Sequence, residues 1–261
     1  MRSLLIVLYL LLISVGAYAA PCEREDFETR VSGGTECLLM RRYGSLKPTT
    51  MVLWIHGNIT SGGPANSHFR IAQKVAEDHT SENVLALALV RPGYPDGTGK
   101  SSSGNDYGRA DNWSRATIDD IGAAIERLRD KYKPSTVLLV GHSGGAAIAA
   151  VLLGMKPQLA EGAVLVACPC DLITWRAGRR GGTWISEDPM RWIDKVSPTV
   201  KVIALTGSRD DTTAPELART YIEGLKARGI DAHFQIVPGL GHVDLITSPA
   251  VEKATSKLIH R

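Results

Sequence analysis

The sequence predicts an α/β fold, in which a mostly parallel sheet is covered by helices on both faces. One observation is alternation, because short apolar runs typical of buried strands are separated by segments with helical spacing of apolar residues. The other is size, since 261 residues with 44% hydrophobic and 22% charged side chains suffice for one such domain. Ligands of a parallel sheet bind beyond the carboxyl ends of its strands.

The elements follow in order from residue 27. Residues 27–31 and 38–43 are predicted to form antiparallel opening strands around a short turn. The later strands are predicted at residues 50–55, 84–90, 137–140, 163–168, 200–205 and 233–237. Helices are predicted at residues 69–77, 117–132 and 215–228, directly after residue 143, and from about residue 248. The second helix shows the pattern clearly, because Ile118, Ile121, Ile125 and Leu128 share one face.

The first 19 residues have the pattern of a cleavable signal peptide. Arg2 precedes an apolar run over residues 4–14, and small residues surround a cleavage position after Ala19. An uncleaved anchor is the alternative, but the apolar run is shorter than the roughly 20 residues of a spanning helix. We therefore expect a secreted or periplasmic protein without stable membrane association. Residues 20–261 are predicted to form a single domain with a short cap at about residues 171–199.

The four cysteines form two local pairs, and export permits both to be oxidised. A bridge between Cys22 and Cys37 is expected to hold the new N-terminus against the opening strands. Cys168 and Cys170 are compatible with a strained small ring or with two buried thiols. Neither pair has the spacing of a zinc site. The net charge of +3 comes without a basic block, so we expect no nucleic-acid partner.

Residues 137–145 carry the main functional motif. A buried-strand run ends in Gly141-His142-Ser143-Gly144-Gly145, and a run of small residues with helical character follows at once. A sharp strand-to-helix turn needs small neighbours and raises the serine above the edge of the sheet, beside the free N–H groups of the helix start. The alternative is a glycine-rich turn with a bystander serine. In pattern and position this segment resembles the nucleophile elbow of the α/β-hydrolase superfamily.

This resemblance implies an oxyanion hole. In the superfamily, backbone N–H groups from the loop after the third strand and from the residue after the nucleophile bind the developing oxyanion. Carried over to this sequence, the donors are Asn58, in His56-Gly57-Asn58, and Gly144. His56 is interpreted as a residue that holds the loop by hydrogen bonds.

The resemblance also implies a base and an acid. His242 lies in a Pro-Gly-Leu-Gly-His segment after the last strand, where relatives carry their catalytic histidine. Asp210 stands three residues after Gly207, at the superfamily offset of the acid, while Asp211 is one residue late and is expected to cap a helix. His68, His79, His142, His233 and His260 are interpreted as surface or packing residues. The order Ser143, Asp210, His242 is that of the α/β-hydrolases.

Two segments are candidates for substrate binding. Residues 91–114 form a long loop rich in Gly and Ser, and such length is typical of a binding loop. The cap has three tryptophans and four arginines. The arginines are candidates to bind a carboxylate or phosphate of the substrate, and the alternative is a solvated basic face over packed tryptophans. These residues are Trp175, Trp184, Trp192, Arg176, Arg179, Arg180 and Arg191.

The sequence therefore predicts a serine hydrolase that cleaves carboxylic esters through an acyl-enzyme, with a small-molecule ester as substrate. No metal or organic cofactor is expected, because the triad and oxyanion hole suffice for this chemistry. The Gly-His-Ser-Gly-Gly and Gly-His motifs are also similar to those of prolyl oligopeptidase-type catalytic domains. A peptidase acting on short peptides is therefore an alternative. A non-catalytic protein that binds ligands in the same crevice is another.

Overall fold

An eight-stranded sheet forms the centre of the computed structural model, which describes residues 22–109, 113–177 and 184–260. The strand order is β1-β2-β4-β3-β5-β6-β7-β8. The pairs β1·β2 and β2·β4 are antiparallel, and every later pair is parallel. The predicted α/β fold is confirmed. The predicted signal peptide, Arg179 and Arg180 lie outside the described residues.

The strands and helices alternate along the chain as the apolar pattern predicts. The strands are β1 Arg30–Ser32, β2 Cys37–Gly44, β3 Thr50–Ile55, β4 Val84–Leu89, β5 Thr136–His142, β6 Gly162–Val166, β7 Lys201–Gly207 and β8 Asp231–Val237. The α-helices are α1 Ser67–Asp78, α2 Arg115–Tyr132, α3 Gly144–Met155, α4 Leu172–Arg176, α5 Pro215–Ala227 and α6 Pro249–Ile259. Short 3₁₀ turns cover Thr80–Glu82, Tyr107–Arg109, Pro189–Lys195 and Asp244–Thr247. Among the described residues, no helix is long and apolar enough to cross a membrane.

The core consists of one layer on each face of the sheet. In β3, Met51 and Leu53 pack on the layer that contains α2, α3 and α5, whereas Val52 and Trp54 pack on the layer that contains α1 and α6. Successive side chains of a strand point to opposite faces, so a central strand with apolar residues at both parities must be covered on both sides. This two-sided burial holds the sheet rigid behind its carboxyl edge.

Most predicted strand ends differ from the structure by one or two residues, and two of the differences have a clear local cause. The first strand is short because residues 26–29 form a turn: the Asp26 carboxylate accepts N–H groups of Glu28, Thr29 and Arg30, and Phe27 has φ +57°. Side-chain capping of this kind competes with strand pairing. The sixth strand ends at Val166, two residues early, because the following alanine has φ +51°.

Both cysteine pairs are bridged. The Cys22–Cys37 disulfide joins the segment before β1 to the start of β2, as the sequence predicts. The Cys168–Cys170 disulfide closes a small ring just after β6, and both of its residues are buried. The sequence left open whether these two cysteines form a small disulfide ring or remain thiols, and the structure shows the ring.

Candidate active site

Ser143 occupies a strained turn between β5 and α3. Its backbone has φ +53° and ψ −121°, a region that residues with a side chain rarely adopt. The neighbouring glycines permit this turn, because a Cβ at Gly141 would lie 2.4 Å from the Gly145 carbonyl oxygen and one at Gly145 would lie 2.2 Å from the Ile55 carbonyl oxygen. The predicted elbow geometry is therefore present, and the serine lies partly exposed at the carboxyl edge of the sheet.

The loop after β3 meets the start of α3 beside this serine. Gly144 is the first residue of α3, so its N–H has no acceptor within the helix. A Cβ at Gly144 would lie 2.9 Å from Asn58 Oδ1, so the Asn58 side chain packs against the start of α3. Arg91 Nη1 donates to the same Asn58 oxygen at 2.8 Å. The loop is thus held against the elbow by a buried guanidinium.

His56 connects this loop to the neighbouring strand. Its Nδ1 donates to the Gly57 carbonyl at 2.7 Å, and its Nε2 accepts the Arg91 N–H at 3.0 Å. Burial, followed by the nearby His68 and Arg91, holds the pKa of His56 well below its usual range. The ring is therefore neutral and both of its nitrogens are bonded, as expected of a residue that fixes the loop.

The buried Asp210 and the partly exposed His242 form a pair on the loops after β7 and β8. The His242 Nδ1 lies 2.9 Å from Asp210 Oδ2 and 3.1 Å from Oδ1. The carboxylate also accepts the N–H groups of Thr212 and Thr213 and the Thr213 hydroxyl. Burial acts to raise the pKa of Asp210, but the hydrogen bonds from His242 and Thr213 outweigh it and the pKa is lowered. Asp211 is exposed and accepts a bond from Thr212, so Asp210 is the carboxylate that orients the imidazole.

Ser143 and His242 lie on adjacent loops that are joined through His142. The His142 Nε2 donates to the His242 carbonyl at 2.9 Å, and the two rings are 5.0 Å apart. Desolvation and the neighbouring His242 lower the pKa of His142 to about 4. Within the described part of the chain, the Ser143 hydroxyl makes no hydrogen bond to the His242 ring. Catalytic contacts of this kind are often long without substrate and shorten when it binds.

An aromatic wall lies beside the elbow. The Trp113 ring would be 3.1 Å from a Cβ at Gly144, and it stacks on Trp175 at 6.2 Å between centroids. Trp175 Nε1 donates to the Thr212 carbonyl at 2.7 Å, which ties the cap to the loop of Asp210. Arg176 lies 3.2 Å over the Trp184 ring, so this arginine covers a tryptophan of the cap.

Two of these residues were not identified in the sequence as site residues. Arg91 and Trp113 stand at opposite ends of the long loop, and only its length marked it as a binding segment. Nothing local distinguishes an arginine that supports Asn58 or a tryptophan that packs on Gly144. Among the described residues, no group of three metal-ligating side chains lies at this edge of the sheet.

The solved structures that resemble this chain include esterases and peptidases. An esterase of Pyrococcus furiosus matches with a TM-score of 0.66 and 16% identity over 88% of this chain and 89% of its own. The Est1E protein of Butyrivibrio proteoclasticus, solved with ferulic acid bound, matches with a TM-score of 0.65 and 16% identity over 89% and 99%. An acylaminoacyl peptidase of Pyrococcus horikoshii matches with a TM-score of 0.66 and 14% identity over 89% of this chain but 40% of its own.

A family model supplies the sequence-level assignment. The model described as serine aminopeptidase, S33, matches residues 65–222, which is more than half of the chain and includes Ser143 and Asp210. A comparison with curated protein sequences gives no match. The fold, the family model and the neighbouring structures all indicate the α/β-hydrolase superfamily. The chain is therefore a hydrolase-fold protein that belongs to the serine aminopeptidase S33 family.

Proposed function

We propose that the chain is a secreted serine hydrolase that cleaves carboxylic esters through an acyl-enzyme. The observation that carries the proposal is the strained Ser143 elbow beside the His242–Asp210 pair. A serine hydroxyl needs an adjacent base to become a nucleophile, and the base needs a partner that fixes its tautomer. Asp210 accepts from Nδ1 of the imidazole, which leaves Nε2 as the atom that takes the serine proton.

The reaction proceeds in two acyl transfers. His242 removes the hydroxyl proton as Ser143 Oγ attacks the ester carbonyl, and the same imidazole then gives that proton to the departing alcohol. Water attacks the acyl-enzyme in the second half, with His242 again as base. The N–H groups of Asn58 and Gly144 bind the oxyanion in both halves, and each such donor is worth roughly 3 kcal/mol in the transition state.

The acyl group is inferred from a similar structure. Trp113 and Trp175 pack behind Gly144 as part of the core, with 0% and 9% of their surface exposed, so they offer a substrate little contact. Ferulic acid, the ligand of the Butyrivibrio protein, is an aromatic acid. We therefore expect aryl-acyl esters to have a higher kcat/KM than acetate esters of the same alcohol.

A peptidase acting on short peptides is the second candidate, and the name of the matching family favours it. The chain spans 40% of the acylaminoacyl peptidase that it resembles, so it corresponds to only part of that protein. Amide hydrolysis also demands protonation of a poorer leaving group than an alcohol. Parallel assays with p-nitrophenyl esters and with aminoacyl p-nitroanilides distinguish the two activities.

A fluorophosphonate probe tests for an activated serine directly. We expect stoichiometric labelling of the purified chain, with the adduct mapped to Ser143 by mass spectrometry. Ser143→Ala is expected to abolish labelling and to lower ester turnover by about 10⁶-fold. The exposed Ser67 supplies a matched control, because Ser67→Ala is expected to keep both the labelling and the ester turnover. An unlabelled wild-type chain would instead support ligand binding without catalysis in the same crevice.

Secretion is tested separately from catalysis. Expression of the full chain with its first 19 residues is expected to yield an exported protein whose N-terminus is Ala20. Retention of the uncleaved chain in the membrane fraction would contradict the signal-peptide proposal and leave the ester hydrolase proposal intact.

A further inference from the structure

His79, Glu82 and His260 meet at the edge of the sheet opposite to Ser143. His79 follows α1, Glu82 ends the 3₁₀ turn that leads into β4, and His260 follows α6. The helix α1 connects the parallel strands β3 and β4, so its C-terminal end lies at the amino edge, and the contact between the His79 and His260 rings places the C-terminal end of α6 there as well. The topology thus joins two segments that are 178 residues apart in sequence.

The three side chains form a compact set of metal-ligating atoms. His260 Nε2 lies 3.0 Å from Glu82 Oε1, and His79 Nδ1 lies 3.9 Å from Glu82 Oε2. One ligand atom from each of the three residues lies within 4.8 Å of the other two. Ligands at about 2.0–2.2 Å from a tetrahedral zinc ion are separated by roughly 3.4 Å. The contacts at 3.0 and 3.9 Å bracket that separation, and any wider pair within the 4.8 Å limit must close by a shift of the exposed His260 side chain.

The strongest observation is the unpartnered nitrogen of His79. This side chain is only 9% exposed, and its Nδ1 has no hydrogen-bond partner among the residues that the structure describes. A buried polar atom without a partner costs free energy and needs an explanation. The other nitrogen, Nε2, lies 2.8 Å from the Ser256 hydroxyl. With the proton on Nε2, the lone pair of Nδ1 faces Glu82.

This arrangement is typical of a metal-binding histidine. Ligating imidazoles usually donate their second nitrogen to a fixed acceptor, which sets the tautomer and the ring orientation. Ser256 supplies such an acceptor for His79 from the last turn of α6, four residues before His260. The half-exposed Glu82 and the exposed His260 leave the site open to solvent on one side.

We propose that His79, Glu82 and His260 bind one Zn²⁺ ion that ties the end of α6 to the turn between α1 and β4. Two imidazoles and one carboxylate are a ligand set that zinc accepts, with water in the fourth position. Mg²⁺ and Ca²⁺ prefer sites built from oxygen, so the two imidazoles select against them. The ion links the two segments and takes no part in the proposed ester hydrolysis, because Ser143 lies at the other edge of the sheet.

Zinc titration of the tag-free chain tests the proposal. The protein is stripped with a chelator, and Zn²⁺ is added in competition with a chromophoric zinc indicator. We expect one Zn²⁺ per chain at micromolar free metal, with a rise of a few degrees in Tm that Mg²⁺ does not reproduce. His260→Gln and Glu82→Gln are each expected to weaken binding by at least about tenfold and to remove the Tm rise.

The exposed histidine–carboxylate pair of β8 supplies the matched control. His233 Nε2 lies 3.1 Å from Asp231 Oδ1 but belongs to no three-ligand group among the described residues, so His233→Gln is expected to bind zinc like the wild type. Both ligand variants change half-exposed or exposed side chains, so they are expected to fold. No saturable binding by the wild type would overturn the proposal. Equal affinity of wild type and His260→Gln would also overturn it, because the metal would then bind elsewhere.

Discussion

The two edges of the sheet carry histidine–carboxylate pairs with nearly equal contact distances and opposite surroundings. At the carboxyl edge, His242 and Asp210 meet at 2.9 Å with the aspartate side chain fully buried. At the amino edge, His260 and Glu82 meet at 3.0 Å with both side chains partly exposed. The Asp210 carboxylate is also fixed by two backbone N–H groups, whereas Glu82 is bonded by the exposed Ser81 hydroxyl.

The difference shows that the contact itself does not define the role of such a pair. A surface ion pair is screened by water and stabilises little on its own. A buried carboxylate with several donors is preorganised, so it orients its imidazole without rearrangement during a reaction. The exposed pair acquires a function only with a third ligand, which His79 supplies.

The largest expected effect distinguishes Asp210 from the neighbouring Asp211. Asp210→Asn is expected to lower kcat for a p-nitrophenyl ester by about 10⁴-fold, because the amide favours the wrong imidazole tautomer. Asp211→Asn and Glu82→Gln are the matched controls and are expected to keep near wild-type kcat. A severe loss in Asp211→Asn with a mild one in Asp210→Asn would move the acid to the neighbouring position.

Alanine substitutions of Gly145 and Gly229 compare how tightly the backbone is packed at the two edges of the sheet. Gly145→Ala is expected to cost at least about 3 kcal/mol of unfolding free energy, since its Cβ would press on strand backbone that cannot shift. Gly229→Ala, before β8, has open space around the new Cβ and is expected to cost about 1 kcal/mol for its positive φ alone. Urea unfolding of both variants measures the two costs. Equal costs would contradict the tight packing inferred for the elbow.

His68, in the first turn of α1, is expected to make the stability of the protein depend on pH. Its Nε2 donates to the Leu89 carbonyl, and burial lowers its pKa to about 4. In the unfolded chain the His68 ring binds a proton below about pH 6.5, whereas in the folded chain it stays neutral down to about pH 4. The free energy of unfolding therefore has its full value above pH 6.5 and decreases by up to about 3 kcal/mol as the pH falls to about 4.

His68→Gln removes one titrating group from that window. We expect the slope of unfolding free energy against pH between 6.5 and 4 to decrease by as much as about 1.4 kcal/mol per pH unit. Urea unfolding at several pH values measures this slope. An unchanged slope would show that the His68 ring is protonated in the folded protein.

The smallest expected effect concerns the amino edge without metal. In the presence of a chelator, Glu82→Gln is expected to leave Tm nearly unchanged, because the pair that it breaks is exposed. With zinc added, the same variant is expected to lack the rise in Tm of the wild type. A large loss of stability in chelator would show that the pair stabilises the fold without an ion.

Local sequence patterns predict the carboxyl edge well. The elbow is encoded within five residues, and the positions of Asp210 and His242 follow from the strand that precedes each of them. Asp26 shows where such patterns fail, because its side-chain capping of the next turn shortened a strand predicted from apolar residues. The catalytic roles of the triad and the secretion of the chain remain predictions.

Long-range packing explains what the sequence could not predict. Arg91 supports Asn58 across 33 positions, and His79 meets His260 only after α1 and α6 have packed on one face of the sheet. The sequence interpretation of His79 and His260 as surface or packing residues considered each alone. No local spacing marks a set whose members come from the ends of separate helices.

The bond from Trp175 to Thr212 couples the aromatic wall beside the elbow to the loop that carries Asp210. Anyone who reshapes this wall to admit a different substrate therefore disturbs the base as well. Selectivity and turnover are expected to change together in engineered forms of this protein. Trp184 contacts Trp175 but does not make that bond, so substitutions at Trp184 are the better starting point for changing the substrate range.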